Sequence, residues 1–479
     1  MTEPFEIGLT FDDVLLVPRR SAVSTRRQVN TRTPLCRGID LAIPIVSASM
    51  DTVTEGTMAI AMAREGGIGI IHRFLPIEDH VAEVRRVKRA ESVVIDTPYT
   101  LPPDGTVGQA AAFMDEHGSA GILVIDRERR LLGIVTARDV LFEEGAANRP
   151  ITTVMTPRER LITAPAGTPV EEAKQILHRH RIEKLPLVDQ AGRLVGLITS
   201  RDIQSRLRYP QATKDARGRL RVGAAIGVRG DYLERAEALV AAEVDALVID
   251  IAHGHSDLSF ATIEAVRKRC GEVPLIAGNV ATAEGTRDLI ARGVDGVKVG
   301  VGPGSTCTTR IVTGSGVPQL TAILECAQAA AGSGVPVIGD GGIRGSGDLV
   351  KALAAGAATV MLGNLLAGTE ESPGASVNRN GRQFKLYRGM ASLWASAERR
   401  DMPQEDDLLS EIVPEGIEAL VPYRGRVAGV LSQLVGGLRS GMSYCGATTV
   451  AELHANAKFI RMTDAGVRES MPHDVDTLS

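Results

Sequence analysis

Val297-Lys-Val-Gly-Val-Gly-Pro-Gly-Ser-Thr-Cys-Thr-Thr-Arg310 is the stretch around which the chain is organised. Its first five residues, Val297 to Val301, read as a short β-branched strand. The Gly302-Pro303-Gly304 turn that follows needs permissive backbone and presents Cys307 between hydroxyl residues. A nucleophile is displayed at a strand's end in this way. A buried structural thiol is the plain alternative, because free cysteine is among the most buried residue types. The polar neighbours, the backbone N–H groups exposed by Gly300, Gly302 and Gly304, and the positive charge of Arg310 weigh against it, since they favour a thiolate.

The surrounding composition bounds what such a nucleophile can serve. At 479 residues, two or three domains are expected, and 44% hydrophobic content is ample for a large core. A formal net charge of −4 argues against a nucleic-acid footprint. The sequence has neither a long apolar run nor a basic-then-apolar leader at Met-Thr-Glu-Pro-Phe-Glu, so a cytoplasmic protein without a membrane partner is expected. Five cysteines, Cys36, Cys270, Cys307, Cys326 and Cys445, include no CxxC pair and fit reduced thiols. The 51 glycines suit an α/β barrel with many glycine-bearing loops.

Outward from Cys307, short apolar strands recur. They are read at Ile43 to Ser49, Gly67 to His72, from Val222, and at Ala246 to Ile251, Pro274 to Asn279, Gly296 to Gly300, Pro336 to Asp340 and Thr359 to Gly363, each followed by a plausible helix. Eight βα units predict an α/β fold of the (β/α)8 TIM-barrel class, with its active site at the carboxyl ends of the strands. Right-handed crossovers would gather Asp250, Asn279, Ser305, Cys307, Asp340, Gly341, Gly342 and Asn364 around one mouth. The expected domains are residues 1–90 as the first part of the barrel, 91–207 as an insertion, and 208–479 as the remainder with a flap at about 391–420.

The insertion is internally repeated. Thr106-Val-Gly-Gln-Ala-Ala-Ala-Phe-Met, Gly121-Ile-Leu-Val-Ile-Asp and Gly133-Ile-Val-Thr-Ala-Arg-Asp have counterparts in Thr168-Pro-Val-Glu-Glu-Ala-Lys-Gln-Ile, Leu185-Pro-Leu-Val-Asp and Gly196-Leu-Ile-Thr-Ser-Arg-Asp. Two copies at that spacing, about 93–149 and 153–207, can pack as a pseudo-symmetric pair. They resemble a tandem pair of cystathionine-β-synthase (CBS) motifs. The resemblance implies ATP or GTP binding, with Asp139 and Asp202 on ribose hydroxyls and Thr136 and Thr199 nearby. The plain alternative is that these acidic residues cap helices. Beyond Tyr387 comes the charged run Glu398-Arg-Arg-Asp-Met-Pro-Gln-Glu-Asp-Asp, read as a mobile lid rather than an ordinary surface loop because of its place after the last barrel strands.

Six segments together resemble the inosine monophosphate dehydrogenase / guanosine monophosphate reductase family over essentially the whole chain. They are Leu9-Thr-Phe-Asp-Asp-Val-Leu-Leu-Val-Pro, Met50-Asp-Thr-Val-Thr-Glu, Gly302-Pro-Gly-Ser-Thr-Cys-Thr-Thr-Arg, Asp340-Gly-Gly-Ile-Arg, Gly368-Thr-Glu-Glu-Ser-Pro-Gly and Val413-Pro-Glu-Gly-Ile-Glu. The resemblance implies that Cys307 attacks C2 of a purine nucleoside monophosphate, with Thr309 beside the reacting carbon. It assigns Asp340 to the ribose, and Ser305, Gly342, Gly363, Asn364 and Tyr387 to the phosphate. It gives the base edge to Met390, Ala391 and Glu415, and adds Met50 to the substrate wall. Asn364 stands where a serine is usual and still supplies a phosphate donor. Asp250 and Asn279 fall on the nicotinamide-cofactor side. A potassium ion is implied on the loop at Gly302, Gly304 and Cys307, completed by Glu469 and Ser470 of an adjacent subunit, in a homotetramer that CBS pairs can join into an octamer.

The two family activities part after the covalent adduct. By this resemblance the dehydrogenase uses NAD and hydrolyses its intermediate with an Arg-Tyr pair on the flap, whereas the reductase expels ammonia and takes hydride from NADPH. The place for Arg-Tyr is near Asp401-Met402, and no tyrosine lies between Tyr387 and Tyr423, although Arg399 or Arg400 can stand as a displaced arginine. Arg439-Ser-Gly-Met-Ser-Tyr-Cys-Gly and Arg468-Glu469-Ser470 resemble the dehydrogenase instead. The expectation is therefore a GMP reductase using NADP, with an IMP dehydrogenase as the close alternative. A nucleotide-sensing scaffold without turnover is the remote one, since it would have no chemical reason to keep Asp340, Ser305, Cys307, Thr309 and Glu415 together.

Overall fold

The computed structural model describes residues 5–91, 94–95, 98–141, 147–392 and 413–472, without the side chains of residues 202 and 205–207. The chain divides into two compact units, one of Met1–Ala90, Gln211–Asp215 and Leu220–Ser479, the other of Glu91–Pro210 and Ala216–Arg219.

The first unit is a closed barrel of parallel strands: Ile45–Ser47 (β1), Ile68–Ile71 (β2), Gly223–Ile226 (β3), Ala246–Asp250 (β4), Leu275–Val280 (β5), Gly296–Val299 (β6), Val337–Asp340 (β7) and Thr359–Leu362 (β8). Neighbours in sequence are neighbours in space, and β2 closes on β3. Each strand is a near-continuous Val/Ile/Ala/Leu run because both of its faces are covered. One face joins the barrel interior with Val46, Ile68, Ile70, Ala225, Val248, Ile276, Ile338 and Met361. The other joins a larger core with the surrounding helices, including Ile45, Ala224, Leu247, Val297, Val299 and Val360.

Several elements among the described residues have no counterpart in the sequence reading. A hairpin of Thr33–Cys36 and Ile39–Leu41 puts Leu35, Cys36, Ile39 and Leu41 into the same cluster as the interior strand residues. After the barrel, the helix Val427–Tyr444 packs on Ser346–Ala354 along glycines. A Cβ on Gly437 would lie 2.2 Å from Ser346 Oγ, and one on Gly441 2.6 Å from Val350 Cγ2. The flap boundary also needs correction. Glu418–Pro422 is a strand that pairs antiparallel with Arg382–Arg388, so the expected flap end at about residue 420 falls inside a regular sheet. Residues 393–412, with Arg399, Arg400 and the Asp401-Met402 position, lie outside the described residues. No helix among the described residues is long and apolar enough to cross a membrane.

The second unit repeats one pattern. Val107–His117 leads to the hairpin Gly121–Ile125/Leu131–Thr136, and Val170–His180 leads to the hairpin Lys184–Val188/Leu194–Thr199. Leu123, Leu131 and Ile134 of the first copy share a cluster with Leu194 and Leu197 of the second. Asp139 acts as a cap here, its Oδ2 accepting from Thr136 N at 2.8 Å and Thr136 Oγ1 at 2.7 Å.

Barrel packing carries a titratable liability at His80. His80, on helix Ile77–Ala90, is fully buried beside Arg235, whose Nη1 also donates to Leu75 O at 2.7 Å. Burial first, then the Arg235 charge and His72, push the His80 pKa down to about 3. The unfolded imidazole, with a pKa near 6.5, takes up a proton that the folded one refuses, so folding stability falls as pH drops below about 6.5. The loss should reach about 2 kcal/mol by pH 5. Denaturant titrations at pH 7 and pH 5 should show that difference in the parent protein and a smaller one in His80→Gln; equal pH dependence in both would refute the assignment.

Candidate active site

A cavity of about 960 Å3 opens at the carboxyl ends of the barrel strands. Its wall takes in all eight polar strand-end residues that the βα pattern gathers at one mouth. Met50, Gly302, Gly304, Thr309, Gly363, Tyr387, Met390, Ala391 and Glu415 line it as well. Glu469 and Ser470 do not, being exposed on or beside the short helix Asp464–Glu469.

The Cys307 loop leaves β6 at Gly300, where a Cβ would sit 2.1 Å from Asp340 O. That close approach brings the nucleophile's loop against the end of β7 and excludes any side chain there. Arg310 braces the loop, its Nε donating to Val301 O at 3.1 Å and its Nη2 to Val317 O at 2.6 Å. Beside the charge that the sequence reading assigns to it, this arginine thus ties the start of the loop to Val317.

A second segment, distant in sequence, completes the thiol's surroundings. Thr308 N donates to Glu415 O and Ile417 N to Thr306 O, both at 2.9 Å, so residues 415–417 lie alongside the loop. This pairing aligns three side chains. Cys307 Sγ donates to Thr309 Oγ1 at 3.2 Å, and Thr309 Oγ1 donates to Glu415 Oε2 at 2.7 Å. The result is an unbroken thiol–hydroxyl–carboxylate chain along which a proton can pass.

Glycines shape the neighbouring subsite. Gly341 and Gly342 have φ of +89° and +81°, turning the chain sharply after Asp340. A Cβ on Gly363 would lie 2.8 Å from Tyr387 Oη and 3.2 Å from Met50 Sδ. Burial raises the Tyr387 phenol above its ordinary pKa, against hydrogen bonding with Thr306 and Ser305, so it stays a protonated donor. Arg388, next along the strand, holds Asp51 at 2.5 Å and so fixes the segment that carries Met50.

Periodicity gave no role to Lys298, which points into the barrel from β6 with only 2% of its side chain exposed. Its Nζ donates to Asp250 Oδ1 at 2.8 Å, to Asp340 Oδ2 at 2.7 Å and to Asn279 Oδ1. Asn279 Nδ2 in turn donates to Asp340 Oδ2 at 2.9 Å and Gly300 O at 2.7 Å, and Ser49 Oγ donates to Asp250 Oδ2 at 2.6 Å. Burial would raise the Asp250 carboxyl, but Lys298 and Ser49 outweigh it and hold its pKa below the ordinary value. The signal that could have found Lys298 was a lone cation in an otherwise apolar buried strand.

The cavity also takes in Val228, Ile251, Ala252 and Leu258 near Asp250, an apolar surface that fits a nicotinamide ring, with Arg73 and Arg229 as cations. For a monovalent cation, the loop from Gly300 to Cys307 supplies backbone carbonyls, which are hard oxygen donors; that of Gly304 already accepts Cys307 N at 3.1 Å. Among the described residues no group of three or more His, Cys, Asp or Glu side chains is placed to hold a metal ion.

Known proteins resemble the chain over nearly its whole length. An inosine-5'-monophosphate dehydrogenase of Nitrosopumilus maritimus is 54% identical over 98% of this chain and 99% of its own. A GMP reductase of Leishmania major is 48% identical over 98% of each. The crystal structure of a GMP reductase from Trypanosoma brucei in complex with guanosine 5'-monophosphate superposes with a TM-score of 0.93 at 45% identity, covering 99% of both chains. With residues 8–473 matching the model of the IMP dehydrogenase / GMP reductase domain, the chain belongs to that family of oxidoreductases.

Proposed function

We propose that this enzyme converts GMP and NADPH to IMP, ammonia and NADP through a covalent Cys307 adduct. The observation that carries the reading is the Cys307–Thr309–Glu415 chain in a protein with no tyrosine between Tyr387 and Tyr423. That chain would serve as a proton route to a leaving amine, while the Arg-Tyr pair implied for water activation lacks its tyrosine.

The steps balance on these residues. The Cys307 proton passes through Thr309 to Glu415, and the thiolate adds to C2 of the purine. Glu415 returns the proton to the exocyclic amine, the C2–N bond breaks, and ammonia leaves a thioimidate on Cys307. The Asp250 side of the cavity, with Val228, Ile251, Ala252 and Leu258, would hold the nicotinamide cofactor, which when bound would supply the hydride for C2. The C2–S bond then breaks, IMP departs, and the thiolate takes a proton from solvent. Asp340 at the ribose, and Gly342, Gly363, Asn364, Ser305 and Tyr387 at the phosphate, hold the base at attack distance, where binding energy from non-reacting groups lowers the barrier.

The dehydrogenase reading keeps support in the 54% identity to an IMP dehydrogenase and in the resemblance of the Arg439-Ser-Gly-Met-Ser-Tyr-Cys-Gly and Arg468-Glu469-Ser470 segments. Purified protein mixed with GMP and NADPH should oxidise the nicotinamide, and Glu415→Gln should slow this by about 10²–10⁴-fold. NADH formation from IMP and NAD, with no NADPH oxidation by GMP, would overturn the assignment.

Two regulatory readings accompany it. Gly302, Gly304 and Cys307 would offer carbonyls to potassium, with Glu469 and Ser470 of the partner subunit completing the site in a tetramer. Turnover should fall when potassium is replaced by sodium or lithium; equal rates in all three salts would remove the site. The repeated unit, with Thr136 and Asp139 in one copy and Thr199 and Asp202 in the other, would bind ATP or GTP as a CBS pair and shift apparent substrate affinity or assembly. A coupling of ordinary size would change that affinity by about 5–150-fold. Replacing residues 91–207 by a short linker should preserve turnover and abolish the response to ATP and GTP in rate and in mass; an unchanged response would place the effector site on the barrel.

A further inference from the structure

We propose that Lys298 is a positioning residue that fixes Asp340 to receive the substrate's ribose hydroxyls. The inference deepens the reading of Asp340 as the ribose residue and rests on it. Lys298 itself is not a candidate to touch the substrate. An ammonium has three N–H donors, and here they go to Asp250, Asn279 and Asp340. Burial alone would lower its pKa, but the charges of Asp250 and Asp340 outweigh that and hold it above the ordinary lysine value. It is therefore a fixed cation and not a proton donor.

Asn279 is equally committed. Its carbonyl accepts from Lys298, and its two N–H groups go to Gly300 O and Asp340 Oδ2. The amide has no donor left for a cofactor and acts as a strut between the Cys307 loop and Asp340. Asp340 Oδ2 thus takes both Lys298 and Asn279, which leaves Oδ1 for a ligand in the cavity that Asp340 lines. A carboxylate held by one oxygen presents the other in a single orientation, as two adjacent hydroxyl donors require.

The fold makes room for this arrangement. A Cβ on Gly278 would lie 2.7 Å from Lys298 Cβ and 2.5 Å from Lys298 O, so the neighbouring strand is thinned where the lysine passes. Without the ammonium, Asp250 and Asp340 would face each other with no charge between them, and Asp340 would turn toward whichever donor remained.

Equilibrium binding of GMP and of its analogue lacking both ribose hydroxyls tests the idea without depending on which reaction is catalysed. Wild-type protein should prefer GMP by about 100-fold, the worth of hydrogen bonds to a charged acceptor. In Lys298→Met that preference should shrink to under about 5-fold, because the lost interaction is the one the analogue never made. Asn279→Ala keeps the cation and should reduce the preference to about 10-fold, which decides the matter if the lysine variant does not fold. An undiminished preference in either folded variant, with both ligands weakened equally, would show a merely structural lysine and overturn the proposal. A wild-type protein that binds the two ligands alike would overturn the ribose assignment itself, a separate failure.

Discussion

One buried ammonium governs the mouth of this barrel. A lone Lys298 charge among apolar strands would cost on the order of several kcal/mol, so it is tolerated only with its partners in place. Those partners sit at the ends of three other strands, Asp250 on β4, Asn279 on β5 and Asp340 on β7. Their positions are consequently not independent. The electrostatic demand of one residue on β6 sets the geometry of the wall on which a nucleotide would lie, and the Cys307 loop joins it through Gly300, whose carbonyl Asn279 also holds.

The other half of the site is assembled from chain distant in sequence. Backbone pairing lays residues 415–417 against the loop at Thr306 to Thr308, and glycine makes the approach possible. A Cβ on Gly389 would lie 3.0 Å from Thr306 O, and one on Gly416 3.2 Å from Ser392 N. Glu415 reaches Thr309 because three strips of backbone meet with no side chains between them. The barrel thus supplies the Cys307 thiol and the Asp340 wall, and the segment after the barrel supplies the Glu415 carboxylate.

Much of this was legible in the sequence for a physical reason. Parallel barrel strands are buried on both faces and read as apolar runs, so their number and their polar ends could be counted directly. Strand edges were less legible. Pro44 cannot donate to a ladder, and β1 begins only at Ile45. The hairpin that places Leu35 and Ile39 among the barrel-interior residues carries no period to distinguish it from a loop. The polar ends announced which residues would gather but not their connections. Asn279, which the family resemblance places on the cofactor side, has its amide engaged inside the network. Lys298 was passed over because strand reading looks for apolar residues inside and polar ones at the rim, and a satisfied buried charge obeys neither pattern.

The same considerations locate what separates the two family reactions. Holding a purine nucleotide and adding a thiolate to C2 ask the same things of the wall, so Asp340, the glycine turns and Cys307 do not distinguish reductase from dehydrogenase. The distinction lies in what departs from or attacks the adduct, and so in where a proton can be delivered. In the proposed reaction, the hydroxyl that bridges thiol and carboxylate would deliver it beside C2, where an amine must leave. Activating water asks for a base at the adduct, and the sequence between Tyr387 and Tyr423 lacks the tyrosine that the family resemblance assigns to that task. Under the proposed function, a site that retains the first device and lacks part of the second would serve to expel ammonia rather than to hydrolyse a thioimidate.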